Sequence, residues 1–128
     1  MIHIIREHAT PEQMKDWTTI RERFMQDELP VRLGGLAANL SRIKSFSANE
    51  NSPETVASLI DESKMFIEWT AAQAEINTAA LMVEVQVQLA LWQIQWDRIW
   101  KNPAERKRIA EQSGVWSKQI LEASGLLK

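Results

Sequence analysis

The sequence predicts an all-α protein, a compact bundle of four to five helices with a long central helix near residues 71–101. Three observations carry this. Apolar residues recur at intervals of three and four through most of the chain. Breakers are few, four glycines and four prolines in 128 residues, and the prolines stand where helices begin or end. No glycine or proline interrupts residues 54–102.

The elements follow in order. Thr10-Pro11-Glu12-Gln13 reads as a helix start, with Thr10 as N-cap, Pro11 at the first helical position and Gln13 closing a capping box. Met14, Trp17, Ile20 and Phe24 then recur at helical spacing. Pro30, which lacks an amide donor, interrupts or kinks that helix. A second helix covers residues 31–46, with Leu33, Leu36, Leu40 and Ile43 on one side. Ser47-Ala48-Asn49-Glu50-Asn51 is the clearest loop. Ser52-Pro53-Glu54 opens a third helix, with Val56, Leu59, Ile60, Ser63, Phe66 and Ile67 on its apolar side.

One helix over residues 53–101 would be about 73 Å long. That is poorly matched to a domain whose radius of gyration is near 14 Å. Thr70-Ala71-Ala72-Gln73 has the capping-box pattern, so a break is expected near residues 69–70. The last helix covers residues 104–123, with Gly125 as its stop. A period-two alternation from Val83 to Leu91 would also suit a half-buried strand, for which residues 2–5 offer the only partner. Good helix formers surround the segment, and helix is the reading adopted.

At 100° per residue, the helix over residues 71–101 has two apolar faces. Leu81, Met82, Val85, Leu89, Trp92, Trp96, Ile99 and Trp100 form one. Val83, Val87, Ala90, Leu91 and Ile94 form the other. Gln86, Gln93 and Asp97 separate them on one side, Glu84, Gln88 and Gln95 on the other. A bundle helix ordinarily needs one stripe. The second face calls for a cover, either from the chain itself or from another copy, and self-association as a dimer is expected. Gly34, Ala38, Ser41 and Ser45 make a small-residue line on the second helix. Each helical glycine costs about 1 kcal/mol relative to alanine, which a close backbone neighbour would offset; the alternative is that Gly34-Gly35 is a kink or turn following Pro30. Val83, Val87, Leu91, Ile94, Gly34 and Ala38 are therefore the candidate interface.

Chemistry is harder to find. The chain has no cysteine, which excludes disulfides and thiolate chemistry. Fifteen basic and seventeen acidic residues give a net charge of −2, so no global field favours nucleic acid or anionic lipid. His3 and His8 fall in what is expected to be a loose segment, residues 1–9, without metal-ligand spacing. Asp61, Glu62, Glu68, Glu75 and Glu84 form no Glu-x-x-Glu pair for a metal-dependent hydrolase. Gly34-Gly35 lacks the residues of a phosphate loop. The apolar stretch at residues 79–100 carries too many polar groups to span a bilayer, and the N-terminus lacks a signal-peptide core.

Six tryptophans are the other distinctive feature. Trp92, Trp96 and Trp100 follow at i+4 and would line one helix face, as core filling or as a flat-ligand pocket. Arg98, Lys101, Arg106, Lys107 and Arg108 form the strongest basic cluster, the place for any nucleic-acid contact. With 45% apolar and 25% charged residues, the composition is that of one soluble domain over residues 1–128, expected in the cytoplasm. The expected function is a small non-enzymatic bundle that self-associates and acts as a protein-interaction module, without cofactor or metal. The alternatives are a ligand-binding or metal-dependent hydrolytic bundle with a tryptophan-lined pocket, and weak nucleic-acid binding at the basic cluster.

Overall fold

The computed structural model describes residues 15–127, of which 84% are helical, with no strand among them. The elements are α1 (Trp17–Met25), α2 (Leu29–Ser47), α3 (Pro53–Thr70), a 3-10 turn (Ala71–Gln73), α4 (Ile76–Ile94), α5 (Trp96–Trp100) and α6 (Pro103–Ser124). The all-α bundle is thus what the periodicity predicts. Residues 2–5, His3, His8, and the helix start at Thr10 lie outside the described residues.

Local chemistry explains the boundaries. Asp16 caps α1, its carboxylate accepting from the Thr19 backbone N–H at 3.2 Å and the Thr19 hydroxyl at 2.6 Å. Pro30 falls in the first turn of α2, where its missing N–H is harmless. Ser52 holds the N-cap position of α3 but makes no capping bond there, leaving Pro53 and Glu54 as the start signals. Gly125 ends α6 in the left-handed conformation, φ 80°.

Two expectations need correction. The helix over residues 71–101 is interrupted twice. The break expected near residues 69–70 falls at Thr70, the buried last residue of α3, which heads the 3-10 turn without a side-chain capping bond and starts no α-helix. The restart belongs to Glu75, whose carboxylate accepts from the Thr78 backbone N–H at 3.2 Å after Ala74 turns extended. At Gln95 the backbone leaves the helical region, φ −108° and ψ 18°. The short α5 then swings under the α2–α3 loop, where Trp100 Nε1 donates to the Glu50 carbonyl at 2.9 Å. The alternating segment, residues 83–91, is helical throughout.

The central element is α2, not the helix after residue 71. It packs most extensively against α6 and next against α3. Leu36, Leu40 and Ile43 are at most 1% exposed, and a cavity at such a site costs about 2–5 kcal/mol. The α2–α6 seam is antiparallel and close: the Ser117 hydroxyl donates directly to the Ala37 carbonyl at 2.7 Å. Small residues permit this approach. A Cβ at Gly34 would stand 2.7 Å from Leu126 Cδ1, and one at Gly114 would stand 2.9 Å from Lys44 Cδ. The backbone neighbour that α2 accommodates along this seam is therefore the chain's own α6. Near α1 an aromatic group closes the core, with Phe24 stacked on Phe66 at 4.0 Å and Trp69 tilted against both.

Candidate functional site

Two glutamines tie α4 to α3 beside its buried face. Gln86 Nε2 donates to the Lys64 carbonyl and to Glu68 Oε2, both at 3.1 Å. Gln93 accepts from Lys64 Nζ at 2.6 Å and donates to Asp61 Oδ1. Both bind α3, and Met82, Val85 and Leu89 turn inward and are fully buried, with Trp92 close behind. The residues 180° away must then point to solvent. Val83, Val87 and Leu91 are 46–55% exposed, and Ile76 and Ile94 about 80%.

The second apolar face is thus bare within the described chain. Ala80 is exposed and Ala90 half-exposed between these larger side chains. A strip of this length and character reaches the several hundred Å² of the largest apolar patches that monomers carry. Sequence reasoning begins the face at Val83 and misses Ile76 and Ala80. The signal for them is the spacing of residues 76, 80, 83, 87, 90 and 94, which alternates four and three.

The other polar seam of α4 borders a cleft toward α6. Glu84, Gln88 and Trp92 line it from one side, Glu105, Arg108 and Trp116 from the other, around a volume of about 260 Å³. Trp92 and Trp116 lie 5.4 Å apart at its base. Arg108 is within 3.7 Å of Glu105 across one turn of α6, so the cleft holds a surface ion pair, weak in water.

Other candidate residues are not gathered. The three-tryptophan row is broken at Gln95: Trp92 packs on Trp116, while Trp96 and Trp100 pair with each other at 5.2 Å. The basic cluster is dispersed. Arg106 turns inward, donating to the Trp100 carbonyl at 2.7 Å and lying over the Trp100 ring. Arg98 bonds Gln95, Arg108 meets Glu105, and Lys101 and Lys107 are exposed. Gly34 belongs to the α2–α6 seam beside Leu126, and Ala38 is exposed on α2, away from the α4 face.

Among the acidic residues, Glu75 is an N-cap and Glu68 receives Gln86. The N–H groups of Asn77 and then Thr78 hold the Glu75 carboxyl below its ordinary range. Among the described residues no three His, Asp or Glu side chains converge on a metal-holding position, and no helix is long and apolar enough to cross a membrane. On α1's side, Lys15 reaches the Ser58 carbonyl at 2.7 Å; burial pushes its ammonium pKa down, opposed by Glu62 and Asp61. Comparison of the chain with protein-family models, with curated proteins and with solved structures finds no match.

Proposed function

We propose that the protein is a non-enzymatic helical bundle that self-associates through the outer face of α4 and serves as a protein-interaction module. One observation carries the reading: the bond pattern to α3 holds Val83, Val87, Leu91 and Ile94 outward, opposite the core face. Burying such a side chain from full exposure is worth about 1.5–3 kcal/mol, and with Val83, Val87 and Leu91 already about half covered roughly half of that is left for each to gain. A cover for the whole strip is therefore worth several kcal/mol, less the entropy of association. A cytoplasmic setting belongs to the same reading and is checked by localising a tagged chain.

The test is mass in solution by light scattering across protein concentration, with Val87→Glu as the variant. Val87 is 55% exposed, so the charge does not enter the core. Self-association predicts a dimer for the parent chain, a monomer for Val87→Glu, and equal helical circular dichroism for both. A parent chain that is monomeric at every concentration overturns the reading. The cleft beside Trp92 and Trp116 supports the second reading, a small-molecule site.

A further inference from the structure

Ile76, Ala80, Val83, Val87, Ala90 and Ile94 follow one another at intervals of four, three, four, three and four. This is the spacing of a coiled-coil seam, in which alternating positions pack as knobs into holes of a facing helix. The order is also a palindrome. Read from either end it is Ile, Ala, Val, Val, Ala, Ile, centred at the level of Val85. A helix laid antiparallel on an identical helix, with its centre at that level, sets Ile76 against Ile94, Ala80 against Ala90, and Val83 against Val87. By two-fold symmetry each contact occurs twice, the condition for an isologous interface.

We infer that the cover of α4 is the α4 of a second copy, antiparallel, about a two-fold axis at the level of Val85. This rests on the self-association reading and specifies its geometry. Charge supports it. Glu84 is the one ionised side chain among the nineteen residues of α4. A two-fold pairing brings groups beside the axis near their own copies, so charges there would repel, and apart from Glu84 the flanks are Asn77 and Leu91 on one side and Ala79, Gln86 and Gln93 on the other. A lipid surface would instead call for lysine or arginine beside the apolar face, and α4 has neither.

Size sets its strength. Strips about 28 Å long and about 10 Å wide bury roughly 600 Å² over both copies before interdigitation adds to it, the range of a weak, exchanging interface. The alanines let the two backbones approach closely at intermediate positions, while the isoleucines seal the ends. An assembly of this size exchanges with monomer, so trapping it covalently is the suitable test.

The chain has no cysteine, so introduced thiols report without background. Ile76 and Ile94 are 80% and 79% exposed, and their replacement leaves the core untouched. Ile76→Cys and Ile94→Cys chains are prepared separately, then oxidised mildly, alone and mixed. The antiparallel register predicts a disulfide-linked dimer in the mixture, a large excess over either variant alone, and its loss when both chains also carry Val87→Glu. Each variant linking to itself, with no gain on mixing, would show a parallel pair and overturn the inference. No linkage in a preparation that light scattering shows to be dimeric would overturn the register while leaving self-association standing. No linkage in a monomeric preparation would sink both.

Discussion

Arg32 and Gln73 join the start of α2 to the turn after α3, the guanidinium Nη2 donating to Gln73 Oε1 at 2.6 Å. Arg32 is only 7% exposed, and its other recorded partners are also neutral: the Asp27 carbonyl at 3.2 Å and Met25 Sδ at 3.5 Å. A buried charge deprived of one acceptor loses more than the bond itself is worth. Gln73→Ala is therefore expected to cost about 1–2 kcal/mol. With Arg32→Met, which keeps an apolar stem and removes the charge, the glutamine becomes nearly dispensable. A double-mutant cycle by urea unfolding checks this; additive effects would show that the bond contributes nothing.

Glu75 governs the start of α4 and makes the helix acid-sensitive. Its folded carboxyl titrates below the ordinary glutamate range because the Asn77 and Thr78 N–H groups stabilise the anion. A depressed carboxyl adds stability above its unfolded pKa and loses it as pH falls through the folded value. Asp16 at α1 has the same sign, with the Thr19 hydroxyl as the leading cause. Glu75→Ala is expected to lower Tm at pH 7, and the gap is expected to narrow as pH falls below the ordinary glutamate range. A difference in Tm that persists unchanged at pH 3 would refute the titration argument.

Gly34→Ala is expected to stabilise the chain. Alanine gains up to about 1 kcal/mol over glycine inside a helix. The atom in its way is the end of a flexible leucine, Leu126, that is itself 49% exposed. Thermal melting should show a rise of a few degrees, with the association state unchanged. A loss of self-association in Gly34→Ala would place a second copy on α2 instead.

Glu84 should oppose the assembly. In the antiparallel register two copies of this residue flank the axis on the same side. At about 8 Å in water the repulsion is on the order of 0.5 kcal/mol. Glu84→Gln then tightens the dimer about twofold at low salt, and the difference shrinks as salt is added. Sedimentation equilibrium of the two chains measures it; a weaker dimer would contradict the register.

The cleft between α4 and α6 gives the competing small-molecule reading its own test. If the protein acts by association alone, magnesium, nucleotides and lipophilic dyes leave tryptophan emission unchanged. A saturable shift that Trp116→Phe removes would favour a ligand at Trp92 and Trp116.

Much of this architecture is legible along the chain because it is local. Pro53, Pro103 and Gly125 act on their own turns, so three boundaries fall within a residue or two of expectation. The two faces of α4 are equally local, a matter of 100° per residue. The break after α3 is less so. Thr70-Ala71-Ala72-Gln73 satisfies a capping pattern, yet Thr70 is drawn into the core and the cap passes to Glu75. Likewise Trp92, Trp96 and Trp100 share one face only if the helix continues. Gln95 ends it so that Trp100 can reach Glu50, a contact fifty residues away.

Residue order along the chain dictates that it is helical, where most helices end, and that one helix carries two apolar faces. Those are consequences of residue spacing and of backbone chemistry at proline and glycine. Which face of α4 is covered was decided only by tertiary structure. The face with Met82, Val85, Leu89 and Trp92 packs on the core, and beside it Gln86 and Gln93 bond Lys64, Asp61 and Glu68 on α3. Tertiary structure likewise made α2 the centre, since the Ser117 to Ala37 bond requires two backbones to meet across eighty residues.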